Sequence, residues 1–159
     1  MSNEASKPYG GKDTPTLIIR EKGEAWNQPF AVVYEPFEGN GTNGSVQSVE
    51  TITQLGEFKG LKIKSNLNGK IITQYAFLME TANDTFEDAK LGITFKGRYA
   101  VATLDEKEKI QSVYIGEGQS FSFKKMKINA KNGKTTAAFV DLSGSKPMIN
   151  SSNEIEIQR

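Results

Sequence analysis

The chain has 159 residues, with 20 basic and 19 acidic side chains, 15 glycines, and neither histidine nor cysteine. Those absences remove the commonest general base, the usual zinc ligands and every thiol nucleophile. A net charge of +1 sets up no long-range field to draw nucleic acid or a membrane surface, and the length suits one domain whose core needs no disulfide or metal staple.

Residues 1–14 are rich in Ser, Lys, Gly and Asn and read as a flexible leader or linker, with a single β-sandwich domain over 15–159. The first fifteen residues lack the apolar stretch of a secretory signal peptide, so no export signal is expected within this sequence. Strands are expected, in order, at 16–20, 30–35, 46–55, 61–65, 70–80, 92–96, 98–105, 109–116, 119–123, 125–130, 135–141 and 154–158. Their β-branched and aromatic runs alternate with turn residues in this way. This predicts an all-β fold, an antiparallel β-sandwich of about 10–12 short strands. The longest apolar runs, at 30–34 and 75–79, are far shorter than a membrane span requires.

Two Asn-Gly pairs, Asn68-Gly69 and Asn132-Gly133, predict hairpins, because both residues tolerate the positive φ of a type I′ turn. A third hairpin is expected at the charged tip Glu106-Lys107-Glu108. In 61–65 the alternation sets Leu61, Ile63 and Ser65 against Lys62 and Lys64, which predicts that the lysines mark the outside. In 70–80 both faces are apolar, which predicts a central strand covered on both sides. Val113, Ile115, Phe121, Phe123, Met126, Ile128 and Phe139 are expected inside, with a bulge or corner at Lys124-Lys125. Segment 46–55 repeats Val46, Val49, Ile52 and Leu55 every three residues; its Val, Thr and Ile content favours a bulged strand over a helix.

Several residues have chemistry to weigh against a structural role. Arg20 and Arg98 carry guanidinium forks suited to carboxylates and sulfates, or else pair with nearby acids. Trp26, in a loop with Gly23 and Pro29, is either a platform for a sugar ring or a plug at one end of the sandwich. Tyr34, Tyr75, Tyr99 and Tyr114 fall within expected strands, where core or cross-strand packing is the stronger role. Lysines gather at 124–134 and 59–70; they attract a polyanion or simply keep strand edges soluble. Asn83, Asp84, Glu87 and Asp88 lack EF-hand spacing and read as an acidic turn, so neither a metal nor any other cofactor is expected.

The stretch REKGEAWNQPFAVVYEPF at 20–37 resembles a segment of bacterial heparinase II/III-like polysaccharide lyases, which act on glycosaminoglycans. GSVQSV at 44–49, FKGLKI at 58–63, FKGRYA at 95–100 and IGEG at 115–118 fit the same likeness. The resemblance implies a noncatalytic C-terminal β-sandwich that follows a helical toroid. The family's catalytic Tyr, His, Asn, Arg and Glu set belongs mostly to that toroid, so no catalytic residue is carried over. It further implies two partners, the catalytic domain of a lyase and an acidic polysaccharide, and a periplasmic or extracellular setting within a parent protein. Trp26, Arg20 and Arg98 are then the candidate carbohydrate contacts. An apolar docking patch is expected, with Trp26, Phe30 and Phe37 as its candidates. The alternative is a stand-alone carbohydrate-binding module built on Trp26 and basic residues.

Overall fold

The computed structural model describes residues 2–5, 14–17, 31–35 and 44–159. The chain divides into two compact units, Met1–Val32 and Val33–Arg159. In the first, β1 (Ser2–Ala5) and β2 (Thr14–Leu17) pair antiparallel, Ser2 opposite Leu17, within and just beyond the stretch the sequence suggested as a leader. A strand was expected at 30–35; residues 31–35 are described and form none, 31–32 at the end of the first unit and 33–35 at the start of the second. Tyr34 is exposed there, and no apolar alternation is put to use. The Glu35 carboxylate instead accepts the backbone N–H groups of Ser45 and Val46, the latter at 3.1 Å, at the start of the next strand.

Ten antiparallel strands follow, with no helix among the described residues: β3 (Val46–Gln54), β4 (Glu57–Leu67), β5 (Lys70–Leu78), β6 (Thr85–Asp88) and β7 (Ile93–Leu104). Then come β8 (Ile110–Phe123), β9 (Met126–Ala130), β10 (Thr135–Asp141), β11 (Met148–Ser151) and β12 (Ile155–Gln158). All ten share one hydrogen-bonded sheet. The sheet becomes a sandwich because its two longest strands change partners midway. Ile93–Lys96 of β7 and Ser120–Phe123 of β8 join β6, β9 and β12 in one arm, ordered β6-β7-β8-β9-β12. The remainders of β7 and β8 join the other arm, ordered β3-β4-β5-β7-β8-β10-β11.

The bend lies where Gly97 is paired with Gly118. Gly97 has φ +154°, and a Cβ on it would lie 2.6 Å from the Gly118 Cα and 2.9 Å from Phe95 Cζ. Only paired glycines let two backbones turn a corner this closely. The register slips by one residue here, between Lys96 and Gly97, the mark of a β-bulge. Across the bend, buried positions in β7 switch from Ile93 and Phe95 to Ala100, Ala102 and Leu104.

Between the arms lies one core. Phe77 on β5 packs against Phe86 and Phe95 of the opposite arm at ring-centroid distances of 4.8 and 5.8 Å, and Phe95 against Phe121 at 6.5 Å. Val113, Ile115, Phe121, Phe123 and Ile128 are buried as expected, and Met126 packs half-buried against them. β3 is a bulged strand, with register shifts at Val46/Ser48 and Ile52/Thr53.

The Asn68-Gly69 turn has φ of +53° and +83° and closes the β4–β5 hairpin, while the 105–109 loop closes β7–β8, with Asp105 Oδ1 accepting the N–H groups of Lys107 and Lys109 at 2.9 Å each. Asn132-Gly133 corrects its expectation. Gly133 has positive φ but Asn132 does not, and β9 pairs with β8 and β12 while β10 pairs with β8 and β11. The turn therefore carries the chain from one arm to the other. The corner at Lys124-Lys125 is a two-residue hairpin, with Phe123 opposite Met126 and Lys124 at φ +54°. Leu55-Gly56 forms a further positive-φ hairpin that the sequence hid, since a 98% exposed leucine carries no turn signature.

Candidate functional site

Directly paired residues of an antiparallel sheet share a face. Tyr75, Ala102, Val113 and Val140 form one such row on the core side of the larger arm, and Lys62 stands opposite Tyr75 in that row. The expectation that Lys62 and Lys64 mark the outside is thus reversed. They share the core-side face, where Lys64 is exposed and Lys62 pairs with Glu50 at 3.2 Å. Leu61 and Ile63 point the other way. Alternation defines two faces but does not say which one a second layer covers.

The face left uncovered among the described residues is apolar. Leu61, Ala76, Val101, Tyr114 and Phe139 form a continuous cross-strand row over five strands, about 19 Å at the usual strand spacing. Leu78 and Tyr99 pair beside it. Phe139, expected inside, is 45% exposed; Leu78 is 49% exposed, so β5 is covered on one face rather than two. Phe139 sits one residue from Ala138 and Val140, which take the inner positions. Gly116 lies on this outer face and is nevertheless buried. A Cβ there would lie 3.2 Å from Tyr114 Oη and 3.3 Å from Tyr99 Cδ2, so the two tyrosine rings close over its backbone.

Arg98 sits at the bend, beside this face. Its Nη1 lies 3.4 Å from Glu117, its guanidinium stands 5.2 Å from the Tyr99 ring centroid, and its Nε is buried without a hydrogen-bond partner among the described residues. Arg98 is thus brought to the aromatic edge already engaged. Arg20, Trp26, Phe30 and Phe37 lie outside the described residues. The patch that is described was missed in sequence because Tyr99, Tyr114 and Phe139 read as core-strand residues; their parity relative to Ala100, Ile115 and Ala138 was the available signal.

Each basic cluster is neutralised in part. Lys59 pairs with Glu57 at 2.7 Å, Lys124 with Glu108 at 2.9 Å and Lys131 with Glu154 at 2.5 Å. In the acidic turn, Asp84 accepts the Thr81 N–H and hydroxyl at 2.9 and 2.8 Å, and Asp88 accepts the N–H groups of Lys90 and Leu91. Each carboxylate therefore serves its own turn. Tyr75, the buried tyrosine, has its phenol pushed up by burial, the opposite of what a general base needs.

Hydrogen bonds hold four carboxyls below their ordinary range: Glu35 by Ser45, Asp84 by Thr81, Glu108 by Lys124 and Asp141 by Ser143. Groups whose folded pKa is lowered stabilise the fold above their unfolded pKa and lose that contribution as pH falls through the folded value. Stability measured by urea titration is expected to be flat from about pH 5.5 to 9, where no side chain of this histidine-free chain ordinarily titrates, and to fall below about pH 4. A mid-range titration step would contradict this.

Comparison with known proteins follows the same β-rich region. Residues 46–141, from β3 to the end of β10, match the family described as the endo-acting ulvan lyase C-terminal domain. The endo-acting ulvan lyase of Formosa agariphila is 32% identical over 134 residues, which cover 84% of this chain and 16% of that protein. No solved structure matches. The polysaccharide-lyase part of the resemblance thus holds, with ulvan lyases rather than heparinase II/III-like enzymes as the group matched. With residues 46–141 matched, more than half of its length, the chain belongs to the endo-acting ulvan lyase C-terminal domain family.

Proposed function

We propose that this chain is a noncatalytic accessory domain of a polysaccharide lyase, seated against the catalytic part through the outer face of its larger arm. The observation that carries the reading is the row from Leu61 to Phe139, flanked by Leu78 and Tyr99. A contiguous apolar surface of this kind is uncommon on a self-sufficient monomer and marks an interaction site. Its mixture of aliphatic and aromatic side chains, with the Arg98–Glu117 pair at the rim, has the composition of an interface core with a polar border. The short span of the chain relative to the Formosa agariphila enzyme supports the same reading. In this role the domain buttresses the catalytic region, in a periplasmic or extracellular enzyme acting on an acidic glycan.

The test compares two contexts. In the polypeptide encoded by the complete gene, Leu78→Lys with Phe139→Lys is expected to raise protease cleavage between this domain and the remainder at least tenfold. In the 159-residue chain alone, the same pair should change stability by no more than about 1 kcal/mol, as surface substitutions do. Unchanged cleavage in the complete polypeptide would sink the docking role.

A further inference from the structure

The bend at Gly97 and Gly118 brings the two ends of β8 toward each other. Glu108, just before β8, and Lys124, just after it, pair at 2.9 Å across the open end of the sandwich. Behind this pair lies a cavity of about 290 Å3 lined by Ile110, Phe123, Met126 and Leu142 at its base and by Glu108, Lys109, Gly144 and Arg159. Its floor is apolar, since Ile110, Phe123 and Leu142 are all buried core residues. Lys109 and Arg159 line its rim with Glu108, whose carboxylate is engaged by Lys124. Neither Lys109 nor Arg159 pairs with a carboxylate among the described residues. The Lys124 ammonium stands 5.0 Å from the Phe123 ring centroid.

We infer that this end cavity binds one sugar residue bearing an anionic group, a carboxylate or a sulfate ester. The apolar face of the pyranose ring lies on Phe123, Ile110 and Leu142, and the anionic group meets Lys109 and Arg159. Size, floor and rim agree on this ligand. The volume takes one ring with its substituents, and an aromatic ring with aliphatic neighbours matches the C–H face of a sugar. Two cations not engaged by carboxylates among the described residues supply the charge-assisted hydrogen bonds that an anion requires. A neutral sugar would offer these exposed cations only hydroxyls in place of water, and a wholly apolar ligand would desolvate them without return. The inference rests on the reading of the parent as a polysaccharide lyase. It adds a glycan contact on the opposite side of the larger arm from the docking face, so that the domain both supports the enzyme and retains its polymer.

Titration of the 159-residue chain, followed by amide resonances in NMR, tests it. Two probes carry the two anionic groups separately, an oligoglucuronate with carboxylates only and a sulfated dextran oligosaccharide with sulfates only; a cello-oligosaccharide of equal length is the neutral control. Binding of either anionic probe, with shifts centred on Ile110, Phe123 and Leu142, is expected, and which probe binds identifies the group. Lys109→Ala with Arg159→Ala, both outside the core, should weaken that binding at least tenfold while the rest of the spectrum stays that of the folded chain. Raising the salt concentration should weaken it too. Binding of neither anionic probe, equal binding of the neutral one, or affinity unchanged in the double variant would overturn the site. Such a failure leaves the docking result for Leu78 and Phe139 untouched, and loss of the docking result leaves this titration untouched.

Discussion

Gly97→Ala is expected to cost the Val33–Arg159 unit about 3–4 kcal/mol in urea denaturation, a large part of the stability of a domain this size. Two penalties combine. The added Cβ meets the Gly118 backbone at 2.6 Å and Phe95 Cζ at 2.9 Å, an overpacking that neighbouring backbone cannot relieve cheaply. The φ of +154° is also one that residues with a Cβ rarely adopt. Gly133→Ala is the control. Its φ of +94° is similarly unfavourable, but nothing lies within 4 Å of the added carbon, so it should cost only about 1–2 kcal/mol. If the two variants unfolded at the same urea concentration, the close approach at the bend would have no energetic weight, and the account of how one sheet becomes two layers would fail.

Phe95→Ala should cost about 3–5 kcal/mol, the range for removing a large aromatic from a packed core. Phe95 is fully buried, between Phe77 of the larger arm and Phe121 of its own. Its ring is a principal contact between the arms, so its removal leaves a void bounded on both sides by sheet. Phe139→Ala provides the contrast within the same chain. Its ring is 45% exposed on the outer face, and truncation there should cost about 1 kcal/mol or less in the 159-residue chain. Equal losses for the two phenylalanines would mean that the outer face is already covered, and the docking surface would have to be abandoned.

Those two phenylalanines also mark the limit of the sequence. Both lie in β-strands that the residue pattern locates well. Residues 135–141 form a strand with the expected ends, and 126–130, 155–158 and 70–78 differ from expectation by one or two residues. Strands 92–96 and 98–105, and likewise 109–116 and 119–123, were read as separate because Gly97 and Gly116-Glu117-Gly118 resemble turns; hydrogen bonding runs through them as bends in continuous strands. β6 and β11 escaped notice because each is four residues long, and β11 has no buried residue to create a pattern.

The candidate site was legible only in part. The resemblance pointed to a polysaccharide lyase's C-terminal domain, and an apolar docking patch was anticipated, but it was sought at Trp26, Phe30 and Phe37. The patch described here is made by Leu61, Leu78, Tyr99, Tyr114 and Phe139, drawn from five strands far apart in the chain. No local window contains it. The end cavity is likewise assembled from both ends of β8 and from residues after β10 and β12.

By itself the sequence determined that the fold is all-β, where most strands run, which residues alternate together, and that no imidazole or thiol chemistry is present. These follow from local steric preference and a two-residue period, both written in neighbouring positions. Tertiary structure alone decided which face of each strand meets the core, that Asn132-Gly133 joins two arms rather than two paired strands, and that the ends of β8 meet. Those outcomes depend on which strands bond to which across long chain separations, and alternation is equally satisfied by either choice of face until a second layer covers one of them.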